Sequence, residues 1–305
     1  MFPAPYTRGL TRSSSVLARV WPFGRGLLAV LAAIVAAAPT PPAAHPPARV
    51  QPRALWVWSF DDPRATVDFA RRHGVTQMFV AVPTRVTTAP TLPKLRDLAV
   101  RAKAAGMRLD ALGGDPAWID NPDWVVTNWV RPVLATGLFT GVHVDMEPYT
   151  TPAWDTARTG TVTRYLQTLD RLRVAAGAAP VEADIPFWFW QVRTDTGLTL
   201  DQEVMKRTAG VTVMAYRNTA AGPDGTLEVA AAELAHARAL GKPVRIGQET
   251  NDLGTSASEV KQTFFGKSEQ AVNDQLAQVD AGARRFSRYV GIAIHDYMGY
   301  AALGR

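Results

Sequence analysis

A single (β/α)8 barrel is the fold this sequence predicts for residues 51–305, and three observations predict it. From about Pro52 onward, short apolar runs alternate with amphipathic stretches eight times. Glycines mark the expected return into most strands, at Gly74, Gly106, Gly137, Gly177, Gly210, Gly241 and Gly282, with separations of 32, 31, 40, 33, 31 and 41 residues. One βα unit takes about 30 residues or more, so each interval fits one unit. Ionisable residues, finally, collect at the C-terminal ends of the apolar runs, the face on which this barrel class carries its sites. A doubly wound open sheet is the rival topology, and no dinucleotide-binding glycine fingerprint accompanies the runs to support it.

The elements follow in order. Strands are expected over 54–58, 76–82, 108–112, 141–147, 181–185, 211–216, 244–249 and 291–295. The first helix opens on Asp62 and Pro63 and closes before Gly74, an N-cap, a proline at the first helical position and a glycine past the end. Asn121 and Pro122 repeat the opening signal. Val162, Leu166, Leu169 and Leu172 fall at helical spacing in a segment that stops at Gly177. No linker after residue 51 suggests a second domain.

Residues 1–50 read differently. They hold Arg8, Arg12, Arg19, Arg25 and Arg49 with no Asp or Glu, so they carry +5 of the formal +6 and leave the body at 6 − 5 = +1. The high isoelectric point therefore gives no footprint for nucleic acid. A basic lead to Arg25, an apolar run of about 13 residues from Gly26 to Ala38 and an Ala/Pro-rich stretch through Pro47 look like an export segment. The run is shorter than the ~20 residues a membrane-crossing helix needs, so secretion is expected, with an uncleaved membrane tether as the alternative. The chain has no cysteine, which excludes disulfides, thiolate metal sites and a lipid-modified N-terminal Cys.

The stretch 139–148 carries the chemistry. On a two-residue period, Val142, Val144 and Met146 share one face, and His143, Asp145 and Glu147 share the other. Buried carboxylates are costly unless paired or protonated, so two of them on one inward face point to a site. The bland alternative is an inward ion-pair cluster of His143, Asp145 and a neighbouring arginine. Other strand ends add Asp184, Tyr216, Arg217, Glu249, His295 and Tyr297. Such an acidic collection suits glycosidic bond cleavage, where one carboxylic acid protonates the leaving oxygen and a second carboxylate stabilises or attacks the oxocarbenium carbon.

On this reading Glu147 is the acid, Asp145 raises its pKa by like-charge repulsion, and Tyr216 donates a hydrogen bond. Glu249 is the second carboxylate, with Arg245 as a deep counter-ion. His143, Asp184, Arg217, His295, Tyr297 and the flat faces of Trp58, Trp188 and Trp190 are candidate carbohydrate contacts, each with a core or ion-pair role as its alternative. For His143 the alternative is a buried histidine orienting Asp145; Trp56 is expected in the core. No cofactor is expected. A metal site from His143, Asp145 and His295 lacks any clustered ligand spacing.

These residues resemble the (β/α)8 glycoside hydrolases, most nearly the family 18 chitinase-like barrels. Thr140-Gly141-Val142-His143-Val144-Asp145-Met146-Glu147 aligns with that family's Asp-Gly-x-Asp-x-Asp-x-Glu motif, and Met214-Ala215-Tyr216 with its Met-x-Tyr. The resemblance implies that Glu147 is the general acid, that Asp145 assists the substrate's N-acetyl group and that Tyr216 contacts the reacting acetamido group. Thr140 and His143 stand where the motif has its first two aspartates, and Arg217 where an aspartate follows the tyrosine. The large clan of retaining barrels is a second resemblance, with acid and nucleophile ending the fourth and seventh strands, where Glu147 and Glu249 lie; Met146 replaces its usual Asn. Residues 54–300 also resemble a set of exported bacterial barrel proteins. The fold host includes glycan-binding proteins without catalysis, so a lectin is the alternative function.

Overall fold

The computed structural model describes residues 52–304. The expected export segment and the domain boundary at residue 51 lie outside the described residues. Within them, eight parallel strands close into a barrel in sequence order, β1 Arg53–Val57, β2 Val75–Ala81, β3 Arg108–Gly113, β4 Gly141–Val144, β5 Val181–Pro186, β6 Gly210–Met214, β7 Val244–Glu249 and β8 Tyr289–His295. Pairing of Ala54 with Ala293 joins the first strand to the last. Among the described residues, no helix is long and apolar enough to cross a membrane.

Capping chemistry sets the helix starts. Asp62 accepts from the main-chain N–H groups of Arg64 and Ala65 at 2.7 and 3.3 Å, which opens α1, Pro63–Arg72. The longest helix among the described residues, Arg158–Ala176, lays Val162, Leu166, Leu169 and Leu172 against the sheet and ends at Gly177, whose φ is +61°. Gly74, Gly106, Gly137 and Gly241 also adopt positive φ before their strands. Gly282 does not mark a return: it lies inside the helix Glu269–Ala283, where a Cβ would stand 2.4 Å from Leu227. Its role is close packing of helices.

Alternation along the strands creates two cores. Leu55, Val57, Met78, Val80, Val142, Val144, Ile185, Val213 and Ile246 point outward and meet the helices in one continuous apolar shell. Each such side chain contributes about 1.5–3 kcal/mol on burial. Ala54, Trp56, Phe79, Leu112 and Ala293 form a second, smaller core inside the barrel. Trp56 is fully buried there, packed edge-on to Phe79 at 5.4 Å.

Below that inner core the barrel is closed by charge. Arg245 donates to Glu182 at 2.8 Å and to Gln77 at 2.5 Å, Gln77 donates to Asp110 at 2.5 Å, and Arg108 pairs with Asp110 at 2.9 Å and Glu182 at 3.5 Å. Burial would raise the Glu182 carboxyl, but His143, Arg245 and Arg108 outweigh it and hold the pKa at about 2. Arg245 is thus a deep counter-ion, but to Glu182 at the floor rather than to the acids at the mouth.

Candidate active site

Strand β4 ends at Val144, three residues earlier than the sequence suggests, yet the alternation continues. Met146 is buried in the outer shell, while Asp145 turns inward among the charges of Asp184, Glu147, His295 and His143. The Asp145 N–H donates to the Gly113 carbonyl at 3.0 Å. Gly114 then passes so close that a Cβ on it would stand 2.0 Å from the Asp145 carbonyl oxygen, an approach open only to glycine.

His143 and Asp184 lie one layer beneath. His143 has no exposed surface, stacks on Phe79 at 3.6 Å and donates to Asp184 Oδ1 at 2.7 Å; Trp56 donates to Asp184 Oδ2 at 3.0 Å. Burial alone would lower the His143 pKa, but Asp184 and Glu182 outweigh it and hold it at about 9, so the ring is an imidazolium near neutrality. Both residues were candidate carbohydrate contacts. The structure instead makes them a buried ion pair under the site, and His143 orients Asp184 rather than Asp145.

Asp145 is the unbalanced group. Its Oδ1 is buried with no hydrogen-bond partner. Burial first, then the charges of Asp184 and Glu147, push its pKa well above the usual carboxylate range against the opposing pull of His295 and His143. The protonated form is therefore favoured on Asp145, the deeper of the two carboxyls. Glu147 is half-buried and accepts a short hydrogen bond from the Tyr149 hydroxyl. Burial and the Glu147 charge push that hydroxyl's pKa up, so Tyr149 stays a neutral donor. Its ring meets Trp188 edge-on at 5.1 Å and Trp154 at 6.3 Å. Sequence reasoning assigned Tyr149 no role, although continuing the alternation 145, 147, 149 singles it out.

Across the mouth stands Tyr216, its hydroxyl pushed well up by burial and by Glu249, Asp145 and Asp184. Register pairs Glu249 with His295. Glu249 Oε1 accepts from the N–H groups of Thr250 and Asn251 and from Asn251 Nδ2 at 2.7, 2.8 and 3.0 Å, and Oε2 accepts from His295 Nδ1 at 2.8 Å. Trp58 Nε1 donates to His295 Nε2 at 2.8 Å. An indole N–H only donates, so Nε2 must accept, and the two bonds select the neutral ring with its proton on Nδ1. Burial lowers the His295 pKa, while the hydrogen bond and charge of Glu249 raise it to a net upward shift. Protonating Nε2 breaks the bond to Trp58.

Three predicted contacts lie elsewhere. Tyr297 packs edge-on to Phe69 of α1 at 5.3 Å, in the helix layer. Arg217 is buried, donates to Asp224 at 2.8 Å and lies over the Phe187 ring. Trp190 is exposed and lines a separate cavity of about 330 Å³ with Phe187 and Glu228. Among the described residues no cluster of His, Asp and Glu is arranged to hold a metal ion; His143 Nε2 is bonded to Asp184, and the two His295 nitrogens are bonded to Glu249 and Trp58.

Closed barrel and carboxylate-lined mouth together define a (β/α)8 barrel with an acidic C-terminal face. No protein-family model matches the chain, and no curated protein matches it. Solved structures do. The spore cortex-lytic enzyme SleL of Bacillus cereus superposes with a TM-score of 0.55 at 11% identity, over 82% of this chain and 72% of that one. A GH18 chitinase of Cycas revoluta in complex with (GlcNAc)3 gives 0.54 at 13%, over 81% and 95%. A GH113 beta-1,4-mannanase gives 0.56 at 9%, over 82% and 89%. At such identities the likeness establishes the shared fold.

Proposed function

We propose that this chain is an exported glycoside hydrolase that cleaves O-glycosidic bonds of a polysaccharide or amino-sugar glycan, with Glu147 as proton donor. The observation that carries this reading is the pair at the end of β4: a half-buried Glu147 held by Tyr149, beside a deeper Asp145 that favours its protonated form. Two carboxyls set apart by their surroundings in one mouth are suited to giving and taking a proton. The solved chitinase, mannanase and cortex-lytic structures support a carbohydrate as the ligand of such a mouth. Export rests on the apolar run from Gly26 to Ala38.

In the first step Glu147 gives its proton to the glycosidic oxygen, and the C–O bond breaks with its electron pair moving to that oxygen. Positive charge gathers on the sugar carbon, where a water oxygen forms the new bond, directly or by displacing the substrate's own acyl oxygen after that has closed on the carbon. The proton lost by the water returns to the Glu147 carboxylate. Asp145, neutral and next to that carbon, supplies an O–H donor, and Tyr216 a second. Glu249 has both oxygens engaged, whereas a nucleophile needs a lone pair aimed at the carbon. We therefore assign it to positioning His295 and, through it, Trp58.

The test is reducing-sugar release by the full chain from neutral and acidic polysaccharides, with Glu147→Gln alongside. General acid catalysis is worth about 10²–10⁴-fold, so the variant should fall by that factor with unchanged thermal stability. Release that survives the substitution removes Glu147 from the mechanism. Binding of one polymer without release assigns the mouth to a glycan-binding protein.

A further inference from the structure

Beside the carboxylates lies a cavity of about 520 Å³ between the loops that follow β1, β2 and β3, within the ordinary size of a small-ligand site. Trp58 and Gly114 belong to both places. Trp58 lines the cavity and donates to His295; Gly114 lines it and presses on the Asp145 main chain. The cavity thus adjoins the mouth through these two residues. Its walls are chiefly apolar, with Trp58, Phe60, Leu95 and Trp118 prominent, and Lys94 is the one basic side chain on them.

Lys94 is placed to be used. Its ammonium donates to the Phe60 carbonyl and sits 4.7 Å from the centre of the Phe60 ring. The nearest carboxylate, Asp61, is 3.9 Å away and fully exposed to water. An ammonium carries three donors, and one carbonyl occupies one of them. Asp115, the acidic group on the same wall, takes the Ala117 N–H at 2.8 Å. A neutral sugar needs no cation in an apolar pocket, whereas a sugar carrying a carboxylate would satisfy this one while its ring or acyl group covers the aromatic faces.

We propose that this cavity is a subsite for a carboxylate-bearing sugar unit, and that Lys94 selects for the anion. The proposal rests on the glycosidase reading and extends it to a substrate class: a uronate-containing glycan, or an amino-sugar glycan with a carboxyalkyl ether. Lys94 does not touch the bond that breaks, so its effect belongs in KM rather than kcat.

The full chain and its Lys94→Gln and Lys94→Arg variants would be assayed on four probes: a uronate polymer, peptide-free bacterial wall glycan, and each of these after methyl esterification. Gln keeps a donor for the Phe60 carbonyl and loses the charge; Arg keeps both. Loss of a charge-assisted hydrogen bond should raise KM about tenfold or more on the acidic polymer that is the substrate, with kcat within about twofold. The ester should be handled equally by all three proteins, and Arg should restore the preference. Which acidic polymer responds identifies the carboxylate's source. Equal KM for acid and ester, or a Lys94→Gln variant like the parent, overturns the subsite while leaving the hydrolase standing. Should nothing be cleaved, the glycosidase reading fails, and equilibrium binding of the same probes still decides the cavity by the same comparison.

Discussion

The floor and the mouth of this barrel use the same side-chain chemistry to opposite ends. At the floor, Arg108, Arg245, Gln77, Asp110 and Glu182 form a closed set in which each carboxylate has a cation or amide donor. At the mouth, Asp145 keeps a buried oxygen without a partner and lies beside the negative charges of Asp184 and Glu147. A satisfied network stabilises and specifies the fold. An unsatisfied group costs stability, and such groups persist where a site requires their altered proton affinity. The floor is therefore read as structure and the mouth as function.

The most damaging way to break this contrast is at the floor. Arg245→Met leaves Glu182 in the barrel with Arg108 at 3.5 Å and the His143 ring at 3.8 Å as its remaining support. The expected loss is about 3 kcal/mol in urea unfolding, with activity per folded molecule unchanged. The parent protein should also show the floor in acid. Because the Glu182 pKa is lowered to about 2, its contribution is present above the ordinary glutamate range and is lost as pH falls toward 2. The acid limb of the stability profile should flatten in Glu182→Gln.

At the mouth the sign reverses. The Asp145 pKa is raised, so the folded state holds a proton that the unfolded chain releases, and stability declines as pH climbs above the ordinary aspartate range. Asp145→Asn should be more stable than the parent at pH 8, by roughly 2–4 °C in melting temperature, and should show less advantage near pH 4. Its glycan release should drop. A variant less stable at both pH values would show that the carboxyl is compensated after all. His143 adds a dependence that begins at higher pH: raised to about 9 by its ion pair, its stabilisation is complete below pH 6.5 and fades as pH approaches 9.

The smallest expected effect sharpens the boundary between cavity and mouth. Trp58→Phe keeps a ring on the cavity wall and removes the N–H that fixes the His295 tautomer. It should cost about 1 kcal/mol and shift the pH at which His295 titrates, as seen in its ring proton resonances. An unmoved titration would mean that the indole does not set the proton's place.

Much of this was legible beforehand because it is periodic. The alternation of Val142, Val144 and Met146 with His143, Asp145 and Glu147 holds in three dimensions, since a strand has only two faces. Glycine spacing gave the βα units, failing only at Gly282, where a small residue serves packing against Leu227 and no left-handed turn is needed. Pairing was not legible. His143 faces Glu182 in register yet bonds Asp184 on the next layer, and Glu249 is closed by an asparagine and two main-chain amides from its own loop. Tyr297, one residue past Asp296, belongs to a new helix whose cap turns it toward Phe69.

By itself, then, the sequence determined the barrel and the faces its carboxylates occupy, because burial and backbone geometry act locally and repeat. Only the tertiary structure decided which acid is neutralised by a partner and which keeps its proton. Proton affinity depends on depth and on charges brought together from five different strands, and no spacing along the chain encodes those distances.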